Sequence, residues 1–182
     1  LVRELQSAGY EVFGVDRVPP RESIASLMKA HCELDLGDRA AVLQLLEDFR
    51  PDGIMHLAGW AHVGESWKHP YPAFDANVIN TITLYQAASE VLQKECRFLY
   101  VSSAEVHGNI PEEELPITES SPLNPVSPYG VTKLVAENAL RTLRQSQGMP
   151  VMVARPFNHV GPGQAPTFAL PSFARRIVGI ER

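Results

Sequence analysis

The sequence predicts an α/β fold in which a doubly wound parallel sheet carries helices on both faces and is incomplete at both ends. Three observations lead to this expectation. Short β-prone runs alternate with longer helical patterns, no internal repeat or low-complexity tract interrupts the alternation, and polar residues directly follow the runs. Strands and helices that alternate in this way are typical of parallel strands joined by right-handed crossovers.

The elements of the first half follow from local patterns. Leu1, Val2 and Leu5 before Gly9 resemble the last turns of an amphipathic helix, so we expect its beginning to lie upstream. A strand over 10–15 leads to Asp16, and a weaker strand ends near Leu34. The next predicted elements are a helix capped by Asp38 that carries Val42, Leu43, Leu45, Leu46 and Phe49, and a buried strand over 53–57 without polar alternation.

The second half continues the alternation. The predicted elements are a helix over about 71–92 that carries Phe74, Val78, Leu84 and Ala88, a strand over 98–101, a loop over 102–127, a helix over 128–147, a strand over 151–154 and a final helix. Pro128 suits the first position of its helix, Gly148 suits its end, and Val131, Leu134, Val135 and Leu140 form an apolar stripe. The final helical pattern is still running at Arg182, so we expect a piece of a longer protein.

Composition excludes several classes of function. With 182 residues, 45% hydrophobic residues and 20% charged residues, the chain has the makeup of one globular domain. A net charge of -5 argues against binding to nucleic acid or to an anionic membrane, and neither a spanning segment nor a signal peptide is visible. Cys32 and Cys96 have no neighbour at metal-ligand spacing, so we expect reduced thiols, no metal site and a cytoplasmic protein.

Parallel α/β sheets bind ligands beyond the carboxyl ends of their strands. Asp16 ends the first visible strand, where an acid can accept both hydroxyls of an adenine ribose and disfavours a 2′-phosphate. NAD is therefore slightly preferred over NADP as the cofactor, although Arg17 beside it leaves room for the phosphorylated form. The glycine-rich phosphate loop of such a site is expected before Leu1.

Tyr129 and Lys133 are four residues apart, one helical turn, and share a helix face. Such a pair alone is typical of a solvated helix surface, but this helix follows a strand that ends in Ser102 and Ser103. A phenol has a pKa of about 10, so it shuttles protons near neutral pH only if a positive charge stabilises the phenolate. Lys133 is expected to lower the Tyr129 pKa in this way, and Ser103 to orient the substrate oxygen.

Several further stretches complete a recognisable pattern. They are 35–36, 56–59, 74–78, 102–108, 127–133 and 155–158. With these stretches the sequence resembles the extended short-chain dehydrogenase/reductase family, also described as NAD-dependent epimerases/dehydratases, over nearly its whole length. The resemblance implies a Rossmann-like fold, with a dinucleotide-binding domain over 1–160 that lacks the first strand and the glycine loop. Residues 161–182 would begin the substrate-binding region.

The resemblance also implies roles for individual residues. Ser103, Glu105, Tyr129 and Lys133 would be catalytic, and Ser103 and Asn158 would bind the nucleotide-sugar substrate. The residues that would contact the cofactor or support its site are Asp16, Asp35, Leu36, Leu57, Ala58, Gly59, Asn77, Tyr129, Lys133 and Pro156. The full-length protein would be a homodimer.

Within the family, the stretch 157–164 is most similar to reductases of GDP-4-keto-6-deoxymannose, and the GDP-mannose 4,6-dehydratases are close relatives. Dehydratases use a glutamate at the position of Glu105 as a base, and reductases can carry one too. Ala104 cannot donate a proton, which favours a reductase. A dehydratase, an epimerase and a non-catalytic dinucleotide-binding sensor remain as alternatives, and His107 replaces the tyrosine common in this turn. His56, inside a predicted strand, is expected to be a hydrogen-bonded core residue.

Overall fold

The computed structural model describes residues 1–180, which contain five strands and eight helices. The elements of the first half are α1 (Val2–Ser7), β1 (Phe13–Asp16), α2 (Glu22–Ala25), β2 (Ala30–Glu33), α3 (Arg39–Phe49), β3 (Gly53–His56), α4 (Val63–Ser66) and α5 (Pro70–Phe74). Those of the second half are α6 (Asn80–Leu92), β4 (Arg97–Val101), α7 (Pro128–Gln147), β5 (Val151–Ala154) and α8 (Ala169–Ile180). The predicted alternation of strands and helices is confirmed.

All strand pairs are parallel, but they form two separate sheets. β1 pairs with β2, and β4 lies between β3 and β5. β1 and β3 are not paired in the part of the chain that the structure describes. In a doubly wound sheet the first strand of the fold lies between the second and the fourth strand. The gap between the two sheets, between β1 and β3, is at this position. The predicted parallel α/β fold is therefore present as two portions of one architecture.

The hydrophobic core lies between β4 and the helices α3, α6 and α7. Its members include Val42, Leu46, Leu84, Tyr85, Phe98, Tyr100, Leu140 and Met149. Side chains alternate across a strand, so the residues between these core positions point to the other face of the sheet. That face is much more open among the described residues, since Met55 and Met152 are 41% and 53% exposed. The expectation that the third strand is buried throughout was wrong, because only His56 is buried there.

Several predicted helix details also need correction. The helix expected over about 71–92 is interrupted by a π-helical turn, Asp75–Ile79, between α5 and α6. Phe74 and Val131 were expected on buried faces but are 39% and 42% exposed. α7 instead turns Thr132, Lys133, Ala136 and Glu137 inward together with Leu140. The buried face of α7 is therefore rotated from the predicted apolar stripe, and it includes two charged side chains.

Both ends of α7 match their predicted signals. The Ser127 hydroxyl accepts a hydrogen bond from the Gly130 amide at 3.1 Å, and Pro128 occupies the first turn. Gly148 ends the helix in a left-handed conformation, with φ of 82°. A second cap was not predicted: the Ser66 hydroxyl, at the end of α4, accepts from the Tyr129 amide at 3.1 Å. Two serines therefore hold the first turn of the helix that carries Tyr129 and Lys133.

Candidate active site

Tyr129 and Lys133 lie on the buried side of α7, with only 9% and 6% of their surfaces exposed. The Lys133 ammonium donates a hydrogen bond to the Val101 carbonyl oxygen, at the end of β4, over 2.9 Å. Its Nζ lies 5.1 Å from the centre of the Tyr100 ring and 5.9 Å from the centre of the Tyr129 ring. An ammonium has three donors, so two remain beyond this bond to Val101.

Ser103 reaches the same place from the strand side. It is the second residue after β4, and its hydroxyl accepts a hydrogen bond from the Glu105 amide at 3.2 Å in a single turn over Ala104–Val106. Gly130 lets this turn lie close against α7, because a Cβ on it would be 2.8 Å from the Glu105 carbonyl oxygen. The structure thus brings the predicted catalytic residues Ser103, Tyr129 and Lys133, with Glu105 beside them, to the carboxyl end of β4.

Burial dominates the electrostatics of this cluster. It raises the pKa of Tyr129 above its usual 10, a hydrogen bond with Ser103 acts in the opposite direction, and the charge of Glu105 raises it further. Burial also lowers the pKa of Lys133 to about 8. The expected lowering of the Tyr129 pKa by Lys133 is wrong for this arrangement. The physical reason is that burial removes water from around a phenolate, and Lys133, whose ammonium lies 5.9 Å from the ring centre, is not among the groups that shift this pKa.

A polar network connects the loop after β3 to the same helix. The Asn77 side chain lies in the π-helical turn, accepts from the Trp60 amide at 2.7 Å and donates to the Trp60 carbonyl at 3.2 Å. It also donates to the Thr132 hydroxyl at 2.8 Å. π turns of this kind often occur at functional sites. Asn77 therefore lies in a polar network, and its contribution to a cofactor site stays a prediction.

Gly59 makes a close approach that a larger residue would prevent. A Cβ there would lie 2.5 Å from the Asn77 Oδ1 and 3.7 Å from the Lys133 Nζ. The preceding residues Leu57 and Ala58 are exposed. The backbone after β3 therefore offers an exposed surface next to the Lys133 ammonium.

The remaining predicted ligand residues also follow strands. Asp16 is exposed at the end of β1 and accepts from the Arg17 amide at 2.7 Å, whereas Asp35 follows β2 and accepts from the Gly37 amide at 2.9 Å. Leu36 packs against the core. Pro156, after β5, accepts a hydrogen bond from the Ala104 amide at 3.0 Å. Pro156 therefore lies beside the turn that carries Glu105.

The loop after β5, which contains Asn158, contacts the loops after two other strands. Asn158 itself is exposed, in the loop that follows β5. The Arg21 guanidinium donates to the Gly163 carbonyl at 2.7 Å, and the rings of His62 and Phe168 stack with centres 4.8 Å apart. These contacts join the loops after β1, β3 and β5.

His107 is only 3% exposed and donates from its ring to the Pro122 carbonyl at 3.1 Å. This contact gives it a packing role at the base of the loop that precedes α7.

Sequence reasoning missed one buried group behind the site. Glu137, one turn after Lys133, is 2% exposed and forms an ion pair with Arg155. The signal available in the sequence for this buried group was a carboxylate four residues after Lys133, on the same face of the helix. Among residues 1–180 no cluster of three potential metal ligands is found, and no described helix has the length and apolarity to cross a membrane.

The chain is similar in sequence to known nucleotide-sugar enzymes. The family model described as GDP-mannose 4,6 dehydratase matches residues 1–182. The GDP-6-deoxy-D-mannose reductase of Pseudomonas aeruginosa is 39% identical over 132 residues, which are 72% of this chain and 43% of that protein. The chain thus spans less than half the length of that relative.

Two solved structures are similar over most of the chain. RMD from Pseudomonas aeruginosa, complexed with NADPH, has a TM-score of 0.75 and 38% identity, covering 80% of this chain and 48% of that one. DesIV, a dTDP-glucose 4,6-dehydratase from Streptomyces venezuelae with NAD and TYD bound, has a TM-score of 0.86 and 28% identity, covering 98% and 57%. The similarity therefore includes both a reductase-like and a dehydratase relative.

Proposed function

This chain belongs to the GDP-mannose 4,6-dehydratase family of extended short-chain dehydrogenases/reductases, and on that premise we propose that it is part of a nucleotide-sugar oxidoreductase that reduces a GDP-4-keto-6-deoxy sugar. One observation carries the proposal. Ser103, Tyr129 and Lys133 meet at the carboxyl end of β4, and the turn that holds Ala104 and Glu105 packs against them.

The residues of this chain suit a reduction. A nicotinamide dinucleotide, when bound in reduced form, supplies the hydride that the keto carbon accepts. Tyr129 donates its phenolic proton to the keto oxygen, and solvent restores that proton afterwards. Because burial raises the Tyr129 pKa, the phenol stays protonated at neutral pH and is ready to act as an acid. Ser103 orients the same oxygen by a hydrogen bond.

The cofactor site is assigned to residues that lie after the strands. Lys133 has donors to offer the hydroxyls of a ribose, and Leu57, Ala58 and Gly59 form the surface next to it, with Asn77 behind. Asp16, Asp35 and Leu36 would hold the adenosine end, and Pro156 the nicotinamide end. We expect NAD or NADP to bind, with NAD slightly preferred because the exposed Asp16 carboxylate repels a 2′-phosphate. A lower Kd for NADPH than for NADH would refute that preference.

The division of labour along the chain follows from the same reasoning. Residues 1–160 would form the dinucleotide-binding domain, and 161–182 would begin the substrate-binding region, with Asn158 contacting the sugar nucleotide at the junction. In support, α8 buries none of its side chains within the described chain. We also propose a cytoplasmic location, because the proposed nucleotide-sugar substrate is a water-soluble molecule.

A homodimer is proposed on the outer surface of α5 and α7. An apolar cleft of about 430 Å³ lies there, lined by residues that include Trp67, Phe74, Val126 and Val131. Trp67 is 64% exposed and Val131 is 42% exposed, so the cleft leaves contiguous apolar surface that a second copy of the chain could cover. The full-length protein should measure as a dimer by light scattering, and Val131→Glu should shift it toward the monomer. A wild-type monomer at assay concentration would refute this assignment.

The reaction is tested on the full-length protein. GDP-4-keto-6-deoxymannose should cause oxidation of the reduced cofactor, whereas GDP-mannose should yield no keto product. A keto product from GDP-mannose without net cofactor change would instead support a 4,6-dehydratase, with Glu105 as the base. Inversion at C4 without net cofactor change would support an epimerase, and cofactor binding without turnover of any sugar would support a sensor.

Tyr129→Phe tests the proton donor directly. Loss of the phenol should reduce turnover by about 100-fold to 10,000-fold, the usual contribution of a positioned acid, while the cofactor Kd stays unchanged. Tyr10→Phe is the matched control, because Tyr10 is 66% exposed and lies before the amino end of β1, whereas the site lies at the carboxyl ends of the strands. Full activity in Tyr129→Phe would refute the mechanism.

A further inference from the structure

A buried ion pair lies directly behind the proposed catalytic residues. The Glu137 carboxylate accepts from Arg155 Nε at 3.0 Å and from Arg155 Nη2 at 2.7 Å. It also accepts a short hydrogen bond from the Ser102 hydroxyl. The side chains of Glu137 and Arg155 are 1% and 19% exposed. Three elements, β4, α7 and β5, therefore meet at one carboxylate.

Each member of this group is a close chain neighbour of a proposed site residue. Ser102 precedes Ser103, and Arg155 precedes Pro156. Glu137 follows Lys133 by one helical turn. The backbone adds two bonds between the strand ends, from the Ser102 amide to the Ala154 carbonyl at 2.8 Å and from the Ala104 amide to the Pro156 carbonyl at 3.0 Å.

Stability alone does not account for an ion pair at this place. Desolvation of two charges offsets much of their attraction, and well-packed apolar residues of similar volume are often at least as stabilising. A bidentate guanidinium and carboxylate pair differs from an apolar contact in its direction, because two parallel hydrogen bonds fix the angle as well as the distance. Such a pair is suited to hold two strand ends and a helix in one register.

We propose that Glu137 is a positioning residue that, through Arg155 and Ser102, fixes the placement of Ser103 relative to Tyr129 and Lys133. The catalytic consequence rests on the proposed function, since it assumes that these three residues perform the redox step. Glu137 contacts neither substrate nor cofactor in this account. Its effect passes through the two residues that it binds.

An apolar replacement of the whole group separates positioning from stability. The test variant is Ser102→Ala combined with Glu137→Met and Arg155→Met in the full-length protein, so that no buried polar atom of the group loses a partner. Glu137→Gln is the comparison, because it removes the carboxylate that pairs with Arg155 and leaves the largely buried guanidinium with only the Glu119 charge nearby. Unfolding by urea should show Glu137→Gln as the less stable of the two variants.

Two readouts then test the positioning role. Amide hydrogen exchange at Ser102 and Ala104 should be about 10-fold faster in the apolar triple variant than in wild type, while exchange at the core of β4 is unchanged. The value of kcat should fall about 100-fold, with the substrate KM and the cofactor Kd unchanged, as expected for misplaced catalytic groups. Ser102→Ala alone, which keeps the ion pair, should show a smaller change in both readouts.

Wild-type exchange at both amides in the triple variant would overturn the positioning role, whatever the activity. Wild-type kcat in that variant would overturn its catalytic consequence. If the triple variant does not fold, Ser102→Ala decides: unchanged exchange and unchanged kcat in that variant overturn the proposal. Absence of turnover in the wild-type protein would instead refute the proposed function. The exchange rates would still decide whether Glu137, Arg155 and Ser102 hold the strand ends in place.

Discussion

His56 should make the stability of this protein depend on pH in a defined window. Its side chain is 3% exposed, and its pKa is lowered from 6.5 to about 4, first by burial and second by the charge of Lys133. The Thr81 hydroxyl donates to the Asn77 carbonyl, so it accepts from His56 Nε2 over 2.8 Å. The folded protein therefore holds a neutral imidazole that is a donor.

The sign of the change in stability with pH follows from which state, folded or unfolded, binds the proton first as the pH falls. In the unfolded chain His56 regains a pKa near 6.5, so as the pH falls below that value the unfolded state takes up a proton before the folded state does. The stabilising effect of the neutral imidazole is complete above pH 6.5 and is lost as the pH falls toward 4. The loss should be about 2 kcal/mol at pH 5 and about 3 kcal/mol once the pH is below both pKa values.

The assay is urea unfolding of the full-length protein at pH 7 and pH 5, compared with His56→Gln. A glutamine amide can still donate to the Thr81 hydroxyl but does not titrate, so the variant should lose about 2 kcal/mol less than wild type between the two pH values. An equal loss in both proteins would refute the reasoning, because it would mean that His56 does not resist protonation in the folded state.

Three further predictions concern the neighbouring elements. Gly59→Ala should weaken cofactor binding and cost about 1–3 kcal/mol of stability, because its Cβ would lie 2.5 Å from the Asn77 Oδ1; an unchanged Kd and urea midpoint would contradict the close approach. Ser127→Ala should cost about 1 kcal/mol in urea unfolding by removing the α7 cap, and a loss below a few tenths would show that Ser66 suffices. Cofactor affinity should fall as the pH rises through about 8, where Lys133 loses its charge, and a titration of Kd that stays flat to pH 9 would refute this.

Much of the fold was readable from local patterns. The Ser127, Pro128 and Gly148 signals located α7 at both ends, and the Asp38 cap located α3, because helix termini need partners for unpaired amides and carbonyls that nearby residues supply. Burial was less predictable. Val131 fits an apolar stripe but is exposed, whereas Lys133 and Glu137 are buried, since a charged side chain can face inward only when distant residues provide its partners.

In the candidate site, too, local features could be predicted from the sequence and features that depend on burial could not. The residues that follow the strands, and the spacing of Tyr129 and Lys133, could be chosen from the sequence because strand polarity and helix periodicity are local properties. The direction of the Tyr129 pKa shift could not be predicted from the sequence. It depends on how much water the packed elements exclude and on Ser103 and Glu105 nearby.

The amino-acid sequence by itself determined the order and type of the elements, the ends of α7 and the candidates for proton transfer. Only the tertiary structure decided that Ser66 caps the helix of Tyr129, that Asn77 binds the Trp60 backbone, and that Glu137 is paired with Arg155. The physical reason is that these contacts join residues far apart in the chain. Their energies depend on distances and burial that arise only when β4, α7 and β5 pack together.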